Sequence, residues 1–395
     1  MRDDDRLDLF GSDDPEEHSA DSGATATGAR RAAPDPDQPG PDGAAAPDRA
    51  SAAPRRGVAE DEEVEEDDRK AGAAARRSRR APKVFLAVVM AIIVLLAAIL
   101  GYYLKSISDG LGRIDRQPLV VEGERPSPAA DHKPLTFVLV GSDSRGWDRG
   151  RSDTLMVAYL PADRKNLYLI SFLRDMWVTI PANPVVDHPS QAKINAAYSW
   201  GGMPLTVKVL EGLTGVRMDH AAVIDFKGFV KLTDALGGVQ VYNDQAFTQD
   251  GHHFETGNIT LRGARALAYV QNRKSLARGD IDRAAHERAV LTAIIHKTLT
   301  ADVLTNPAKF REVVTLAGET MTVDDGLSNA EIRKIATSLR FSSGDAVVQV
   351  QAPIKGFATS SDGQQYDVVD AEGLKELSEA MRTDTMADYV RRHPQ

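Results

Sequence analysis

The hydrophobic and polar positions divide the chain into three parts with different patterns. Residues 1 to about 75 contain one aromatic residue, Phe10, and show neither the alternation of a strand nor the period of a helix. From Val84 to Leu104 no residue carries a charge. Beyond residue 134, short apolar runs alternate with longer amphipathic ones. The pattern therefore predicts a disordered tail, one apolar helix and a folded domain.

The uncharged run predicts a transmembrane helix, because at about 1.5 Å per residue it spans a hydrocarbon core of about 30 Å. A cleaved signal peptide is the alternative, but the run is long, begins far from the N-terminus and lacks an A-x-A site. Basic residues crowd the N-terminal side of the run, whereas few follow it. Those on the N-terminal side are Arg76, Arg77, Arg79, Arg80 and Lys83. The positive-inside bias therefore predicts a cytoplasmic N-terminus and an exported C-terminal part.

The predicted organisation has four parts. Residues 1–82 are a disordered cytoplasmic tail, 83–104 the single transmembrane helix, 105–133 a proline-containing linker and 134–395 the extracytoplasmic domain. The predicted location is thus the cell membrane. An acidic run over residues 60–68 in the tail is interpreted as a solvated charge block.

The folded part is predicted to be an α/β domain with a central, mostly buried β-sheet flanked by helices. Short runs rich in β-branched and aromatic residues predict strands at Leu135–Val140, Thr154–Leu160, Leu167–Phe172 and Ala221–Ile224. Helices are predicted at Pro204–Leu213, Phe226–Leu236, Gly263–Val270, Ile281–Leu299 and Glu372–Met381. Gly237 and Gly238 are expected to end the second of these helices, since glycine accepts a left-handed conformation.

Composition excludes several classes of function. The sequence has no cysteine, which rules out disulfides, thiolate metal sites and a cysteine nucleophile. A formal net charge of -9 argues against a general nucleic-acid binder. Neither a P-loop nor a G-x-S-x-G turn occurs. His252 and His253 with Glu255 have a spacing that matches no usual metal-ligand set.

Two aspartates form a candidate metal site. Asp143 follows the first predicted strand, and Asp153 immediately precedes the second. Ligands of open α/β sheets gather at strand ends, and two neighbouring carboxylates repel each other unless a cation lies between them. Oxygen ligands without His or Cys point to Mg²⁺ or Mn²⁺. The alternative is that both aspartates are turn or cap residues.

Basic residues recur in comparable loops and strand ends. They are Arg145, Arg151, Arg174, Lys193, Arg273 and Arg283. A guanidinium presents a planar fork of donors that matches phosphate oxygens, so several together would form a pyrophosphate clamp. Taken singly, each could equally be one half of a surface ion pair. Sequence spacing alone does not show whether these residues converge.

An ordered set of motifs resembles the LytR-CpsA-Psr family over about Leu135 to Leu299. The motifs are Val-Gly-Ser-Asp-Ser-Arg at 140–145, Arg-Ser-Asp-Thr at 151–154, Arg-Asp at 174–175, Lys-Ile-Asn at 193–195, Asp-Phe at 225–226, Leu-Gly-Gly-Val at 236–239, Ala-Leu-Ala-Tyr-Val at 266–270 and Gly-Asp-Ile-Asp-Arg at 279–283. Residues 346–392 resemble the C-terminal extension of actinobacterial members.

The resemblance implies roles for individual residues. The metal-binding carboxylates would be Asp143 and Asp153. The catalytic basic residues would be Arg151, Arg174, Arg273 and Arg283, with Arg145, Lys193, Gln271 and Glu287 binding substrate. At two positions the chain departs from the family's pattern. Gln271 stands where the family usually has Arg, and Glu287 stands where it usually has Gln, which is expected to place a carboxylate against pyrophosphate.

The family resemblance also implies a function. The chain would be a membrane-anchored phosphotransferase that moves a glycopolymer from a polyprenyl pyrophosphate carrier to peptidoglycan, with Mg²⁺ or Mn²⁺ as cofactor and no nucleic-acid partner. One alternative is a non-catalytic or regulatory module that binds lipid-linked precursors, which the residues at 271 and 287 favour. Another is a polyprenyl-pyrophosphate hydrolase.

Overall fold

A computed structural model describes residues 63–121, 123–128, 134–142, 152–341 and 346–394, without the side chains of residues 63–82, 84, 152 and 153. The chain divides into two compact units, Met1–Arg76 and Arg77–Gln395. The packing described below lies within the second unit.

Helices and strands follow one another in groups along the described residues. The helices are α1 (Glu63–Leu111), α2 (Asn195–Thr214), α3 (Phe226–Ala235), α4 (Gly263–Gln271), α5 (Asp280–Thr298), α6 (Ala301–Leu304), α7 (Pro307–Thr320), α8 (Asn329–Ser338), α9 (Ala371–Arg382) and α10 (Met386–Arg392). The strands are β1 (Asp115–Gln117), β2 (Leu135–Ser142), β3 (Ser152–Leu160), β4 (Leu167–Ser171), β5 (Trp177–Ile180), β6 (Ser190–Lys193), β7 (His220–Asp225), β8 (Val239–Asn243), β9 (Phe247–Gln249), β10 (His252–Phe254), β11 (Gly257–Leu261), β12 (Met321–Asp324), β13 (Val347–Gln351), β14 (Ile354–Thr359) and β15 (Gln365–Val369).

Seven strands form one mixed sheet in the order β1-β12-β7-β2-β3-β4-β13. The central strand β2 runs parallel to β7 and antiparallel to β3. Along β2, Val138 and Val140 are buried in the largest core, while Phe137 and Leu139 pack against a smaller core. Because successive side chains of a strand point to opposite faces, the centre of the sheet is covered on both sides. The predicted class, a mostly buried sheet flanked by helices, is confirmed.

Helix α5 connects two of the cores. Ala284, near its first turns, belongs to the largest core, whereas Val290 and Ile294 belong to a second core together with Tyr269 of α4. Tyr269 is fully buried, and its ring lies 5.4 Å from that of Phe254. Packing on both sides fixes the N-terminus of α5 relative to the sheet.

The strands predicted from apolar runs are all present, with ends shifted by at most two residues. The five predicted helices are also present. The helix predicted from Pro204 is the second part of α2, which begins at Asn195 and is kinked at Gly202, where φ is +67°. Gly237 and Gly238 have φ of +74° and +94°, and their amides donate to the carbonyls of Asp234 and Thr233 at the end of α3. The predicted stop is thus confirmed.

The uncharged run lies inside α1. Residues Phe85–Leu111 form a helix that is long and apolar enough to cross a membrane. The helix differs from the sequence-based expectation in length, since it begins at Glu63 and continues past Leu104 to Leu111. Contacts with α7 stabilise its last turns. Tyr102 donates its hydroxyl proton to the carbonyl of Pro307 at 3.2 Å, and the ring of Tyr103 lies 4.9 Å from that of Phe310.

The same helix end approaches α7 very closely. A Cβ added to Gly318 would lie 2.1 Å from the carbonyl oxygen of Gly110, and one added to Gly110 would lie 2.5 Å from a methyl carbon of Val314. Only glycine permits this approach of two backbones. The apolar helix is therefore packed against the folded domain through α7.

Residues predicted to form a linker contribute to the fold. Strand β1 pairs with β12 at the edge of the sheet, and Leu119 is buried in the largest core. Arg125 forms a buried ion pair with Glu211 of α2, with nitrogen–oxygen distances of 2.7 and 3.0 Å. Glu211 also accepts from the amide of Met218 at 2.9 Å. The chain after α1 is thereby fixed to α2.

We predict that Glu211→Gln destabilises the fold by about 3–5 kcal/mol, because it leaves the buried guanidinium of Arg125 without a countercharge. Thermal unfolding of the full chain in detergent should show the loss as a lower Tm. The matched control is Glu379→Gln, which removes an exposed ion pair with Arg382 and should cost at most about 1 kcal/mol. Equal Tm values for the two variants would contradict the buried pair.

Candidate functional site

The C-terminal end of β2 and the N-terminal end of β3 lie side by side, at the edge of the sheet that the strand ends form. Gly141 is paired with Thr154, and Ser142 is paired with Ser152 of β3 and with Asp225 of β7. Asp153 belongs to β3, but its side chain lies outside the description, as do residues Asp143, Arg145 and Arg151. The strand register places Ser142 and Ser152, which precede Asp143 and Asp153 in the sequence, side by side. The metal-binding role of both aspartates remains a prediction.

Four of the predicted basic residues converge beside this edge. Arg174 follows β4, Lys193 ends β6, Arg273 follows α4, and Arg283 lies in the first turns of α5. We call Arg174, Lys193, Arg273 and Arg283 the basic cluster. Their positions are separated by up to about a hundred residues in sequence, so the fold itself brings them together.

Asp175 holds three members of the basic cluster. Its carboxylate lies 3.2 Å from Lys193 Nζ, 3.4 Å from a terminal nitrogen of Arg273 and 3.8 Å from Arg174 Nε. The side chain of Asp175 is 10% exposed, and its backbone carbonyl accepts from the amide of Asp367 at 2.9 Å. A single buried carboxylate therefore fixes cations from three separate elements.

Asp280 is the second carboxylate in the cluster. It forms an ion pair with Arg283, three residues further along α5, and lies 3.8 Å from Arg174 Nε and 4.0 Å from Arg273 Nε. Burial raises the pKa of Asp280, while Arg283 and Arg174 counteract that rise. Asp280 also begins α5, whose N-terminal dipole adds partial positive charge at this point.

The basic cluster keeps an excess of positive charge. Four cations face Asp175 and Asp280, and Asp367 adds a third carboxyl at the margin, which leaves a formal charge of about +1 to +2 before a ligand is bound. Asp367 of β15 lies at the margin of the cluster, and burial together with Asp280 and Asp175 raises its pKa to about 6. An anion with two phosphate groups would complement this excess.

The two departures from the family's pattern share one small pocket. Gln271 and Glu287 line it together with Thr154, Phe226 and Arg283. The side chain of Glu287 is 9% exposed and lies 3.7 Å from Arg283 Nε. Thr154 forms a hydrogen bond with Glu287. The pocket connects the basic cluster with the start of β3.

Burial raises the pKa of Glu287 to about 8, even though Arg283 and the hydrogen bond with Thr154 favour the ionised form. At neutral pH the carboxyl is therefore mainly protonated, and a protonated glutamic acid resembles glutamine in shape and charge. The repulsion of pyrophosphate expected from Glu287 is therefore weak at neutral pH and grows as the pH rises through about 8.

Three acidic residues of the site were not selected from the sequence. Asp175 and Asp280 belong to motifs in which only the arginines were considered. Acidic residues next to basic ones in these motifs could have indicated ion pairs within the site. Asp367 lies far downstream with no motif.

His253 is in the β9–β10 hairpin, where it contacts Glu255 at 3.1 Å. In the part of the chain that the structure describes, no group of three or more His, Asp or Glu side chains is arranged to hold a metal ion.

The family model and the sequence relatives point to the same family. Residues 108–383 match the model of the LytR_cpsA_psr family. The chain is 39% identical over 175 residues to a polyisoprenyl-teichoic acid–peptidoglycan teichoic acid transferase TagU of Bacillus anthracis, which covers 44% of this chain and 55% of the relative. The chain thus spans about half the length of that relative. A protein of the same name from Enterococcus faecalis is 30% identical over 290 residues, which is 72% of this chain and 91% of the relative.

Solved structures agree with the sequence relatives. The crystal structure of B. subtilis TagV superposes with a TM-score of 0.54 at 26% identity and covers 65% of this chain and 98% of TagV. A structure titled TagT bound to LIIa-WTA superposes with a TM-score of 0.51 at 24% identity, which supports the fold. Because the family model matches most of the chain and the relative from E. faecalis is aligned over nearly its whole length, the chain belongs to the LytR_cpsA_psr family.

Proposed function

We propose that this protein transfers a glycopolymer from a polyprenyl pyrophosphate carrier to peptidoglycan. The observation that carries the proposal is the basic cluster, in which Asp175 and Asp280 hold four cations beside the edge of the sheet. The family relatives named as teichoic acid transferases support the choice of reaction. The arrangement of charges supports pyrophosphate as the bound group.

The carboxylates give the basic cluster a fixed geometry before substrate binds. Long cationic side chains lose rotamer entropy when they bind an anion, and ion pairs made in advance reduce that loss. Arg283 is 6% exposed on its side chain, so a phosphate oxygen near it would be shielded from water and bound more strongly. Arg273, at 43% exposure, is the most solvent-accessible member of the cluster and would contact substrate from the solvent side.

The proposed reaction is a phosphoryl transfer without a nucleotide. A hydroxyl oxygen of peptidoglycan forms a bond to the phosphorus atom next to the glycan and loses its proton to solvent. The bond between that phosphorus and the bridging oxygen breaks, and the bridging oxygen leaves as part of polyprenyl phosphate. The basic cluster stabilises the negative charge that develops on the leaving phosphate.

We propose Mg²⁺ as the cofactor, with Mn²⁺ as the alternative ion. The residues that would hold it are Asp143 and Asp153, whose strand ends are adjacent by register through Ser142 and Ser152. Hard oxygen donors at this edge suit either ion. A bound Mg²⁺ would neutralise charge on the phosphoryl oxygens.

We further propose that α1 anchors the protein in the cell membrane with the C-terminal domain outside the cytoplasm. Support comes from the apolar helix over Phe85–Leu111 and from the basic residues that precede it in sequence. Tyr102 and Tyr103, which contact α7, stand at the end of the uncharged run, where aromatic residues favour a membrane interface. The folded domain would then lie directly on the membrane that contains the lipid carrier.

Arg273→Ala is expected to lower kcat about 10²- to 10³-fold in transfer from a lipid-pyrophosphate glycan to peptidoglycan, because it removes a charge that stabilises the leaving phosphate. The matched control is Arg262→Ala, an exposed arginine that pairs with Asp234 away from the cluster. It should retain nearly full activity. The measurement is the rate of polyprenyl phosphate release by the full chain in nanodiscs, with and without peptidoglycan.

Three outcomes of that assay separate the candidate functions. Release that depends on peptidoglycan supports transfer. Release at the same rate without peptidoglycan would identify a pyrophosphate hydrolase. Binding of the lipid without release would identify a non-catalytic module and would contradict the proposed reaction.

Asp153→Asn is expected to abolish the rise in Tm that Mg²⁺ produces, because binding to the folded state alone stabilises it by about 2.7 kcal/mol at a hundredfold excess over Kd. Arg174→Ala should keep the Mg²⁺ response and lose affinity for lipid pyrophosphate. Asp187→Asn, an exposed loop aspartate beside His188, is the control. An unchanged Mg²⁺ response in Asp153→Asn would show that the ion is bound elsewhere or not at all.

Glu287→Gln should stabilise the protein increasingly as pH rises. The folded pKa of about 8 lies above the ordinary value of 4.5, so the contribution of Glu287 is fully present below about pH 4.5 and is lost as pH rises through 8. The difference in Tm between Glu287→Gln and the wild type should be small at pH 5 and large at pH 8.5. Glu379→Gln, which removes an exposed carboxyl, provides the control. A pH-independent difference would contradict a buried, protonated Glu287.

A further inference from the structure

A groove of about 440 Å³ lies beside the basic cluster. Its floor is the β5–β6 hairpin, one wall is the first part of α2, and the other wall is the turn between β14 and β15. A volume of this size suits a small-molecule segment rather than a whole protein surface. The reaction described above requires a place for the reacting phosphate and leaves this groove without a role.

Aromatic rings line the groove. Trp177 of β5 and Trp200 of α2 are both partly exposed there. The ring of Trp177 stacks on Tyr366 of β15, with centroids 4.5 Å apart and an angle of 27° between the planes. Because one face of Trp177 is packed, its orientation is fixed and its apolar surface is available without further ordering. The groove thus offers rigid, flat apolar surfaces.

Polar groups surround these rings. In the β14–β15 turn, Gln364 donates to Asp362 at 2.6 Å, and the amide of Ser360 donates to the carbonyl of Gln364 at 2.9 Å. Gly363 permits the turn with a φ of +85°. The carboxylate, hydroxyl and amide groups of this turn are therefore held in place by one another. Asn195 at the start of α2 adds a further amide.

Lys193 links the groove to the phosphate-binding residues. It lies directly opposite Trp177 in the β5–β6 pairing, lines the groove and pairs with Asp175 at 3.2 Å. A ligand whose phosphate occupies the basic cluster can therefore extend into the groove. Lys193 is the sole cation among the groove's lining residues within the described chain, so a second phosphate would find little countercharge there.

We propose that this groove is a saccharide subsite of the transfer site. A sugar ring has apolar C–H faces that pack on tryptophan and hydroxyl edges that exchange hydrogen bonds with the β14–β15 turn. A lipid tail would require a continuous apolar lining, which the polar turn interrupts. The proposal rests on the proposed function for the phosphate that anchors the sugar. The saccharide belongs to the lipid-linked donor or to the glycan acceptor, since both meet at the reacting phosphate.

The test is isothermal titration calorimetry with the full chain in nanodiscs. The probes are a lipid pyrophosphate that carries a disaccharide, the same lipid pyrophosphate without sugar, and peptide-free glycan strands of peptidoglycan. Trp200→Ala should weaken binding of one saccharide probe about tenfold and leave the sugar-free lipid unchanged. Trp200→Phe should retain most of the affinity. Phe357→Ala, which removes an exposed ring from β14 outside the groove lining, is the control.

The affected probe identifies the source of the sugar, because an effect on the disaccharide lipid assigns the groove to the donor and an effect on glycan strands assigns it to the acceptor. Asp362→Ala is a second variant, on an exposed turn, in case Trp200→Ala does not fold. Unchanged affinity for both saccharide probes would overturn the proposal, as would an equal loss of affinity for the sugar-free lipid. Failure of the sugar-free lipid to bind the wild type would instead contradict the proposed function.

Discussion

The candidate site depends on the compensation of buried charge by Asp175 and Asp280. Without these carboxylates, Arg174, Lys193, Arg273 and Arg283 would repel one another and extend into solvent. With them, cations from four separate elements lie within ion-pair distance of two acids. Asp175 and Asp280 neutralise half of the charge and Asp367 at the margin neutralises a further part, so the cluster keeps a fixed geometry and an excess of positive charge that attracts anions.

The scaffold explains why this geometry persists. Helix α5 is packed through Ala284 on the largest core and through Val290 on the second, which fixes Asp280 and Arg283 relative to the sheet. Asp175 is fixed from the other side, because its carbonyl accepts from the amide of Asp367 in β15. The C-terminal hairpin therefore supports the basic cluster and, through Tyr366, the ring of Trp177 in the adjoining groove. Helix α7 joins the fold to the apolar helix through Gly110 and Gly318.

Local patterns predicted much of the fold. The apolar runs at β2, β3, β4 and β7 are buried on at least one face and were recognised by length and β-branched content. Strand β6 is short and polar, and β15 is short with mixed polarity, so no long apolar run marks either strand. The extension of α1 past Leu104 was missed because the end of this helix is held by contacts with α7, which no local pattern records.

The sequence also predicted part of the candidate site. Basic residues were recognisable because phosphate recognition requires guanidinium and ammonium groups in loops, and four of them do converge. Their acidic partners, the high pKa of Glu287 and the aromatic groove depend on burial and on contacts between distant segments. Such properties belong to the folded state, and sequence spacing does not contain them.

The most direct test of the central claim compares the affinity of the full chain for a short polyprenyl pyrophosphate with its affinity for the corresponding monophosphate, in the wild type and in Lys193→Ala. Lys297→Ala, whose ammonium pairs with Asp302 on the surface, is the control. The account predicts that the wild type prefers the pyrophosphate, and that Lys193→Ala loses about tenfold or more of that affinity while Lys297→Ala does not. Equal affinity for both lipids, or an unchanged Lys193→Ala, would contradict it.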